Sequence, residues 1–378
     1  MAVTDELSVL RHDLHKHPEI SGNEYKTAKS IKAYFNRLHP DKIIDGIGGA
    51  GVAFIFSGEE DGPAVLFRAE LDALPIQEDA KLAYSSQNNG IAHKCGHDGH
   101  MAILAGLGMF LHHNPPVKGR VILLFQPAEE TGEGARQVLE DPKWAEIIPD
   151  YVFALHNLPG YPDGEIIMRE GNFSSASVGF ETILSGKTSH AAEPEKGNNP
   201  SEAIAGIIQD FQHELVQPDF YEDFVLATIV HILIGEKAFG TSAGKAIFRA
   251  TLRAAQQDDF ELLKKNALEV ANKHALRYKL KTEMNWVEEF PVTNNTTEAN
   301  KFILQAANKN GLSIKQKANS FRWSEDFGWF LQKYPGALFG LGAGENVAPL
   351  HHPDYDFNDK ILQPGIDIFK DLCLQLNY

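Results

Sequence analysis

A nine-residue stretch holds five side chains that can bind a metal ion. It reads AHKCGHDGH, spans residues 92–100, and contains three histidines, one aspartate and Cys95, one of only two cysteines in the chain. Thiolate, imidazole and carboxylate groups are the ligands that zinc and other borderline divalent ions take in proteins. A catalytic cysteine with His97 or His156 as its base is a second interpretation, and a structural thiol in a polar turn is a third.

Further metal-binding side chains follow four predicted strands. They are Asp72 after AVLFRAEL, Glu129 and Glu130 after GRVILLFQP, His156 at the end of YVFAL, and His351 and His352 after GALFGLG. Open α/β sheets bind ligands at the carboxyl ends of their strands, so we expect these side chains and the 92–100 loop to share one rim. Because adjacent residues of an extended segment point in opposite directions, one glutamate should bind metal while its neighbour faces the reacting water.

Five of these residues form a complete ligand set for two metal ions. They are Cys95, His97, Glu130, His156 and His351. One ion takes about four ligands, so five ligands and a shared water suit two ions roughly 3.5–4 Å apart. The mixture of donors favours zinc or manganese, with nickel or cobalt as alternatives, over magnesium or calcium. Asp72 should orient an imidazole such as that of His97. A cysteine hydrolase would leave the two glutamates without a task.

The order of predicted elements divides the chain in two. Strands and helices alternate up to about residue 176, which predicts an α/β domain with a mixed, largely parallel sheet and helices on both faces. From residue 177 to 288 the order becomes β-α-β-β-α-β, which is typical of a ferredoxin-like α+β domain. The alternation then resumes. We therefore predict a metal-binding catalytic domain made of residues 1–176 and 289–378, with a small domain of residues 177–288 inserted into it.

Two local patterns predict a turn and the start of a helix. GIGGAG, at residues 46–51, is followed by a strand-like run and not by a helix, which indicates a turn between strands and not a phosphate-binding loop. GHMAILAGLGMFLHH predicts a helix that begins near His100.

Composition narrows the class of protein. The 378 residues include 43% hydrophobic and 23% charged residues, and the net charge is -16. This charge argues against a nucleic-acid groove or an anionic membrane surface, since both require clustered lysine and arginine. Two cysteines cannot form a disulfide framework, and no signal peptide or membrane-spanning run is present. We expect a cytoplasmic protein, and the charge does not exclude a small anionic substrate.

Several stretches, in order along nearly the whole chain, resemble the aminoacylase and glutamate-carboxypeptidase superfamily of dinuclear metallo-amidohydrolases. They are LRHDLHKHPEISGNEYKTA, FRAELDALPI, HKCGHDGHMAILAG, FQPAEETGEGA, ALHN, GKTSHAAEP, SEDFGWF and LHHPDYDFND. The chain is most similar to the branch of hippurate hydrolases, auxin-conjugate hydrolases and N-acyl-amino-acid amidohydrolases. The resemblance implies cleavage of the amide bond of an N-acyl amino acid, with a metal-dependent exopeptidase or dipeptidase as the alternative.

The resemblance also implies roles for individual residues. It makes the same five residues the metal ligands, and its LHxP pattern selects His351 over His352. Glu129 becomes the general base, which takes a proton from the attacking water and returns it to the leaving amine. A non-catalytic metal-binding protein would need to have lost a ligand or this base, and neither is lost.

Residues 177–288 become a lid in this family. His190, in GKTSHAA, matches a histidine that helps to bind the substrate carbonyl or carboxylate, sometimes in a neighbouring subunit, and it is expected to stabilise the oxyanion. Arg253, in ATLRA, matches an arginine that clamps a substrate carboxylate. A surface histidine and a surface arginine are the plain alternatives. The lid departs from the family pattern at Glu195 and in IGEKAFGTSAGKA, so the substrate class stays open. Its edge strand is a candidate for pairing two subunits into a homodimer.

Overall fold

The computed structural model describes residues 3–378. Its α-helices are α1 (Val3–Lys16), α2 (Tyr25–Asn36), α3 (His97–His113), α4 (Gly134–Glu140), α5 (Ser201–His213), α6 (Gln257–Arg277), α7 (Thr297–Lys309), α8 (Gly328–Leu331) and α9 (Leu362–Leu376). Its strands are β1 (Lys42–Ile47), β2 (Gly51–Ser57), β3 (Glu60–Glu70), β4 (Lys118–Gln126), β5 (Tyr151–Leu158), β6 (Ile166–Met168), β7 (Gly171–Ser174), β8 (Ala176–Ser185), β9 (Ser189–His190), β10 (Val225–Ile234), β11 (Thr241–Ser242), β12 (Lys245–Ala254), β13 (Lys281–Phe290), β14 (Thr293–Asn295), β15 (Ile314–Gln316) and β16 (Gly336–Gly342).

The chain divides into two compact units. The first contains the residues through Phe173, Thr293–Asn319 and Asp326–Tyr378. The second contains Ser174–Val292 and Ser320–Glu325. The predicted insert, residues 177–288, lies within the long segment of the second unit.

The first unit is built on an eight-stranded sheet in the order β1-β2-β4-β3-β5-β16-β6-β15. The four central strands β4, β3, β5 and β16 are parallel, whereas β1 and β2 and the contact of β16 with β6 are antiparallel. The prediction of a mixed, largely parallel sheet is confirmed. The carboxyl ends of the four central strands lie along one rim.

The central strands are continuous apolar runs because both of their faces are covered. The last six residues of β4 and all seven residues of β16 are buried, as expected for parallel strands between helices. Helix α3 is buried along most of its length. It begins at His97, so the prediction of a start near His100 was three residues late. Gly96, with φ 93°, ends the preceding loop in the left-handed region, and Asp98 in the first turn favours the helix N-terminus.

The second unit carries a four-stranded sheet in the order β10-β12-β8-β13, with all neighbours antiparallel. Helices α5 and α6 supply buried residues to the same hydrophobic core as the sheet. The chain order β8-α5-β10-β12-α6-β13 is the predicted ferredoxin-like pattern, which is confirmed. Alternate residues of β12 are buried, because only one face of this sheet is covered.

Two other sequence predictions concern loops and membranes. GIGGAG connects the antiparallel strands β1 and β2, and Gly48 and Gly49 have positive φ, so the turn is confirmed. Among residues 3–378, none of the helices combines the length and apolar character needed to cross a bilayer.

Candidate functional site

The rim of the first sheet brings the sequence-predicted ligands together. β4 leads into Glu129 and Glu130, β3 leads into Asp72, β5 contains His156, and β16 precedes the loop with His351. Cys95 and His97 stand at the start of α3. Strand register contributes to this convergence, since Gly340 of β16 pairs with His156.

The five predicted ligands form two overlapping groups whose donor atoms all lie within 4.8 Å of one another. One group is Cys95, His97 and His156, and the other is Cys95, Glu130 and His351. Within them, the Sγ of Cys95 lies 3.4 Å from Nε2 of His156, and Nε2 of His351 lies 3.7 Å from Oε2 of Glu130. Two neighbouring groups of donors fit a site for two metal ions.

Glu129 lies beside these groups and is 5% exposed. Its Oε2 lies 3.9 Å from Nε2 of His97, the same distance that separates this nitrogen from Oε1 of Glu130. The backbone N–H of Asp326 lies 3.4 Å from the other Glu129 oxygen. The expectation that the two glutamates point in opposite directions was wrong. They occupy a turn and not an extended segment, because Ala128 has a φ of 52°.

His97 is oriented by Asp72 mainly through a backbone oxygen. Nδ1 of His97 donates to the carbonyl of Asp72 at 2.9 Å, and the Asp72 carboxylate lies 3.4 Å from the same nitrogen. This bond directs the Nε2 lone pair toward the ligand cluster. Among the described residues, Nε2 of His97 has no hydrogen-bond partner. An orphaned buried imidazole nitrogen next to a thiol and two carboxylates fits a bound cation.

The electrostatics of the cluster also favour a bound cation. Burial alone would lower the pKa of His97, but the hydrogen bond with Asp72 and the negative charges of Glu70 and Glu130 raise this pKa to about 10. The cluster therefore attracts positive charge strongly. A metal ion would have to displace the proton of His97 in order to bind there.

His156 and His351 are held by backbone contacts. Nδ1 of His156 donates to the carbonyl of Asn157 at 2.9 Å, which leaves Nε2 for Cys95. The backbone N–H of His351 donates to the carbonyl of Lys94 at 2.7 Å, and the residue has a φ of 64°. His352 turns away, since its Nδ1 accepts a bond from the N–H of Asp354 in its own loop.

A buried polar chain behind the site had no assignment in the sequence analysis. Nδ1 of His100 lies 2.7 Å from Oε2 of Glu70, and its Nε2 lies 2.6 Å from Oδ1 of Asn157. The amide of Asn157 donates to the Tyr355 hydroxyl at 2.5 Å. The signal that could have identified it is the spacing of three residues between His97 and His100, which places both on one face of α3.

A second buried cluster joins α1 to α3. Nδ1 of His15 lies 2.8 Å from Asp98, its Nε2 lies 2.9 Å from Glu78, and Arg11 donates to Asp98 at 3.1 Å. Burial lowers the pKa of His15, but the hydrogen bonds with both carboxylates raise it to about 9. Arg11 and His15 belong to the N-terminal LRHDLH motif. Through these contacts they fix the position of Asp98, which is the neighbour of His97.

The two predicted lid residues lie in the second unit. His190 is exposed on the short strand β9, where it pairs with Thr241 of β11, and its Nδ1 accepts from the N–H of Ala192 at 3.0 Å. Arg253 lies on β12 and donates to the carbonyl of Arg322 and to the Ser324 hydroxyl, each at 3.0 Å. Burial lowers the pKa of its guanidinium.

Comparisons with known proteins agree with this chemistry. The model of the peptidase family M20/M25/M40 matches residues 66–375. The N-acetylcysteine deacetylase of Bacillus subtilis is 30% identical over 97% of this chain and 95% of its own length. The N-acetyldiaminopimelate deacetylase of Bacillus velezensis is 29% identical over 96% of each chain. The crystal structure of the Bacillus subtilis YXEP protein, a dinuclear metal-binding peptidase, is 29% identical with a TM-score of 0.83, covering 99% of this chain and 98% of that one.

Proposed function

The chain belongs to the M20/M25/M40 peptidase family, and from this premise we propose that it is a metal-dependent amidohydrolase that acts on N-acyl amino acids. The products are a carboxylic acid and a free amino acid. The observation that carries the proposal is the Glu129 carboxylate, which lies beside His97 within a cluster of thiol, imidazole and carboxylate donors. The names of the two deacetylase relatives support the class of substrate.

Cys95, His97, Glu130, His156 and His351 are the proposed metal ligands. Two divalent ions bound there would supply a Lewis acid for the amide carbonyl and lower the pKa of an attacking water. We propose zinc or manganese, with nickel or cobalt as alternatives, because thiolate and imidazole donors suit borderline ions.

Glu129 is the proposed general base and general acid. Its carboxylate takes one proton from the attacking water and later donates that proton to the nitrogen of the leaving amine. Burial keeps bulk water from competing for this oxygen, and the N–H of Asp326 holds the second oxygen. Asp72 is the proposed positioning partner of His97.

Two residues of the second unit are proposed to bind substrate. His190 would donate to the oxyanion that forms at the amide carbon. Arg253 would bind the free carboxylate of the amino acid, for which a planar guanidinium is suited. Its present acceptors, a carbonyl and a hydroxyl, are uncharged and can be exchanged for a carboxylate.

We further propose that the enzyme is a cytoplasmic homodimer. Neither cysteine takes part in a disulfide, which suits a reducing compartment. β10 is an edge strand of the second sheet, and its apolar side chains at Leu233 and Ile234 are 48% and 39% exposed. An exposed apolar edge of this kind is a template for pairing with a second chain.

A substrate panel tests the proposed reaction. Purified protein is loaded with zinc or manganese and given N-acetyl and N-benzoyl derivatives of a set of amino acids, with dipeptides of the same residues alongside. We expect amine release from the acyl amino acids that stops with a chelator and returns with added metal. Turnover confined to dipeptides would assign an exopeptidase, and turnover that survives the chelator would refute the metal-dependent mechanism.

A further inference from the structure

The turn that carries Glu129 begins with a strained residue. Ala128 has a φ of 52°, in the left-handed region that L-residues other than glycine and asparagine rarely adopt. Such a conformation persists only where surrounding contacts hold it. Ala128 is itself buried, so those contacts must come from the protein.

The contact that holds Ala128 comes from a distant residue, Glu24. Oε1 of Glu24 accepts a hydrogen bond from the backbone N–H of Ala128 at 2.8 Å and another from the N–H of Gly22 at 2.8 Å. The Glu24 side chain is completely buried. By accepting from this N–H, the buried carboxylate fixes the peptide group that joins Pro127 to Ala128. The next peptide group along the chain leads into Glu129.

The side chain of Glu24 does not cap its own helix. It is the residue before α2, but its side chain makes no capping bond to that helix. Glu19 does this instead, since its Oε2 accepts from the N–H groups of Lys26 and Thr27, each at 2.8 Å. The position of Glu24 at a helix start therefore does not explain why a carboxylate is buried there.

The other side of Glu129 is held in the same manner. The N–H of Glu130 donates to Oδ2 of Asp72 at 2.9 Å, and the hydroxyl of Ser21 donates to the same oxygen at 2.7 Å. The residues before and after Glu129 thus each donate to a buried carboxylate. One carboxylate, that of Glu24, belongs to the segment Ser21–Glu24, and the other, that of Asp72, accepts a bond from Ser21 of this segment. The segment therefore acts as a clamp on the turn.

We propose that Glu24 is a positioning residue for the reaction, which fixes the backbone of Ala128 and thereby places the Glu129 carboxylate beside His97. This proposal rests on the proposed function of Glu129 as base. A single oxygen of Glu24, Oε1, accepts both bonds, while burial and the charge of Asp72 disfavour a negative charge here and raise the pKa of Glu24 to about 7. The acceptor oxygen, and not the charge, is what the turn requires.

Three variants separate positioning from stability. Glu24→Gln keeps an acceptor oxygen, Glu24→Ala removes it, and Glu24→Asp withdraws it by one methylene while keeping a carboxylate. We expect Glu24→Gln to retain kcat within about threefold. Glu24→Ala and Glu24→Asp should lower kcat by about 10–100-fold with KM and metal content little changed, since small misplacements of a catalytic group cost this much. Glu24→Asp covers the case in which Glu24→Ala does not fold.

Glu19→Ala, just outside the Ser21–Glu24 segment, is the matched control for removal of a nearby carboxylate that caps α2. It should lower the melting temperature through the loss of the α2 cap and leave kcat unchanged. The proposal fails if Glu24→Ala and Glu24→Asp keep wild-type kcat, if Glu24→Gln falls as far as they do, or if their loss of turnover follows a loss of metal.

A structural measurement keeps this proposal separate from the proposed reaction. Crystal structures of the metal-loaded wild type and of Glu24→Asp would be compared. In the variant, we expect Ala128 to leave the left-handed region and the Glu129 carboxylate to lie farther from Nε2 of His97 than in the wild type. An unmoved Glu129 would overturn the positioning role. This result does not depend on any substrate, whereas a wild type that cleaves no amide would overturn only the proposed function.

Discussion

At the scale of single residues, the neighbours Glu129 and Glu130 are chemically identical and differ only in their surroundings. Both carboxylates lie 3.9 Å from Nε2 of His97. Glu130 also shares a donor group with Cys95 and His351, whereas the second oxygen of Glu129 faces the N–H of Asp326. We expect Glu129→Gln to bind metal normally and to lose turnover by about 10²–10⁴-fold, the range typical of a general base. Glu130→Gln should lose metal as well. Metal analysis beside kcat distinguishes the two, and equal metal loss would remove Glu129 from its role.

His15 predicts a pH dependence of stability. Its folded pKa of about 9 lies above the ordinary value near 6.5, so the protonated form stabilises the folded state. This stabilisation is complete below pH 6.5 and is lost as the pH rises through about 9. It amounts to at most about 3 kcal/mol from the difference in pKa. Denaturant unfolding between pH 6 and 10 should show a decline that is smaller in His15→Gln, where His97 still contributes, and parallel profiles for the two proteins would contradict this.

At the scale of elements, the carboxylate of Asp326 forms hydrogen bonds at both ends of the turn between β4 and α4. Asp326 accepts from the side chain of Gln126 and from the N–H of Ala135, each at 2.8 Å, and it pairs with the buried Arg68 at 2.6 Å. Asp326→Ala would remove one of the two buried carboxylates that pair with Arg68 and leave Glu70 as the other, so we expect a loss of up to about 3 kcal/mol, the range for hydrogen bonds to a charged group. We expect a correspondingly lower unfolding midpoint, with a smaller loss for Asp326→Asn. An unchanged midpoint for the alanine variant would show that these bonds are dispensable.

Elements were predictable where the signal is local. Continuous apolar runs identified β4, β5 and β16, and their shared rim follows from parallel pairing. The turn at Ala128 was not predictable, because alanine has no preference for positive φ and the bond that holds it comes from Glu24, 104 residues away. His100 was left unassigned for the same reason, since its partner Glu70 lies on another element. Contacts between distant segments leave no mark on local periodicity.

At the scale of the whole molecule, metal should stabilise one unit and not the other. The five proposed ligands all belong to the first unit. An ion present at a hundred times its dissociation constant adds about 2.7 kcal/mol, which corresponds to a shift of roughly 5–10 °C for a unit of this size. Calorimetry with and without chelator should move only the transition of the first unit. Equal shifts in both transitions would contradict a site confined to it.

The proposed homodimer also belongs to this scale. Light scattering coupled to size-exclusion chromatography should give twice the chain mass of 41.8 kDa. Leu233→Lys places a charge on the exposed edge of β10 and should shift the protein to a monomer, because charged edges resist strand pairing. Val9→Lys, on α1 of the first unit, is the matched control at an exposed apolar position and should leave the mass unchanged. A monomeric wild type would refute the homodimer.

The two thiols of the chain have very different surroundings. Cys373 is completely enclosed in the core of the first unit, and burial raises its pKa well above the ordinary value, so it offers no thiolate to a reagent. Cys95 is also buried but keeps 7% of its surface exposed, so in the folded protein any maleimide labelling should occur at Cys95, at no more than one dye per chain. Because a bound cation would occupy its sulfur, the labelling rate provides a direct titration of metal binding that needs no knowledge of the substrate.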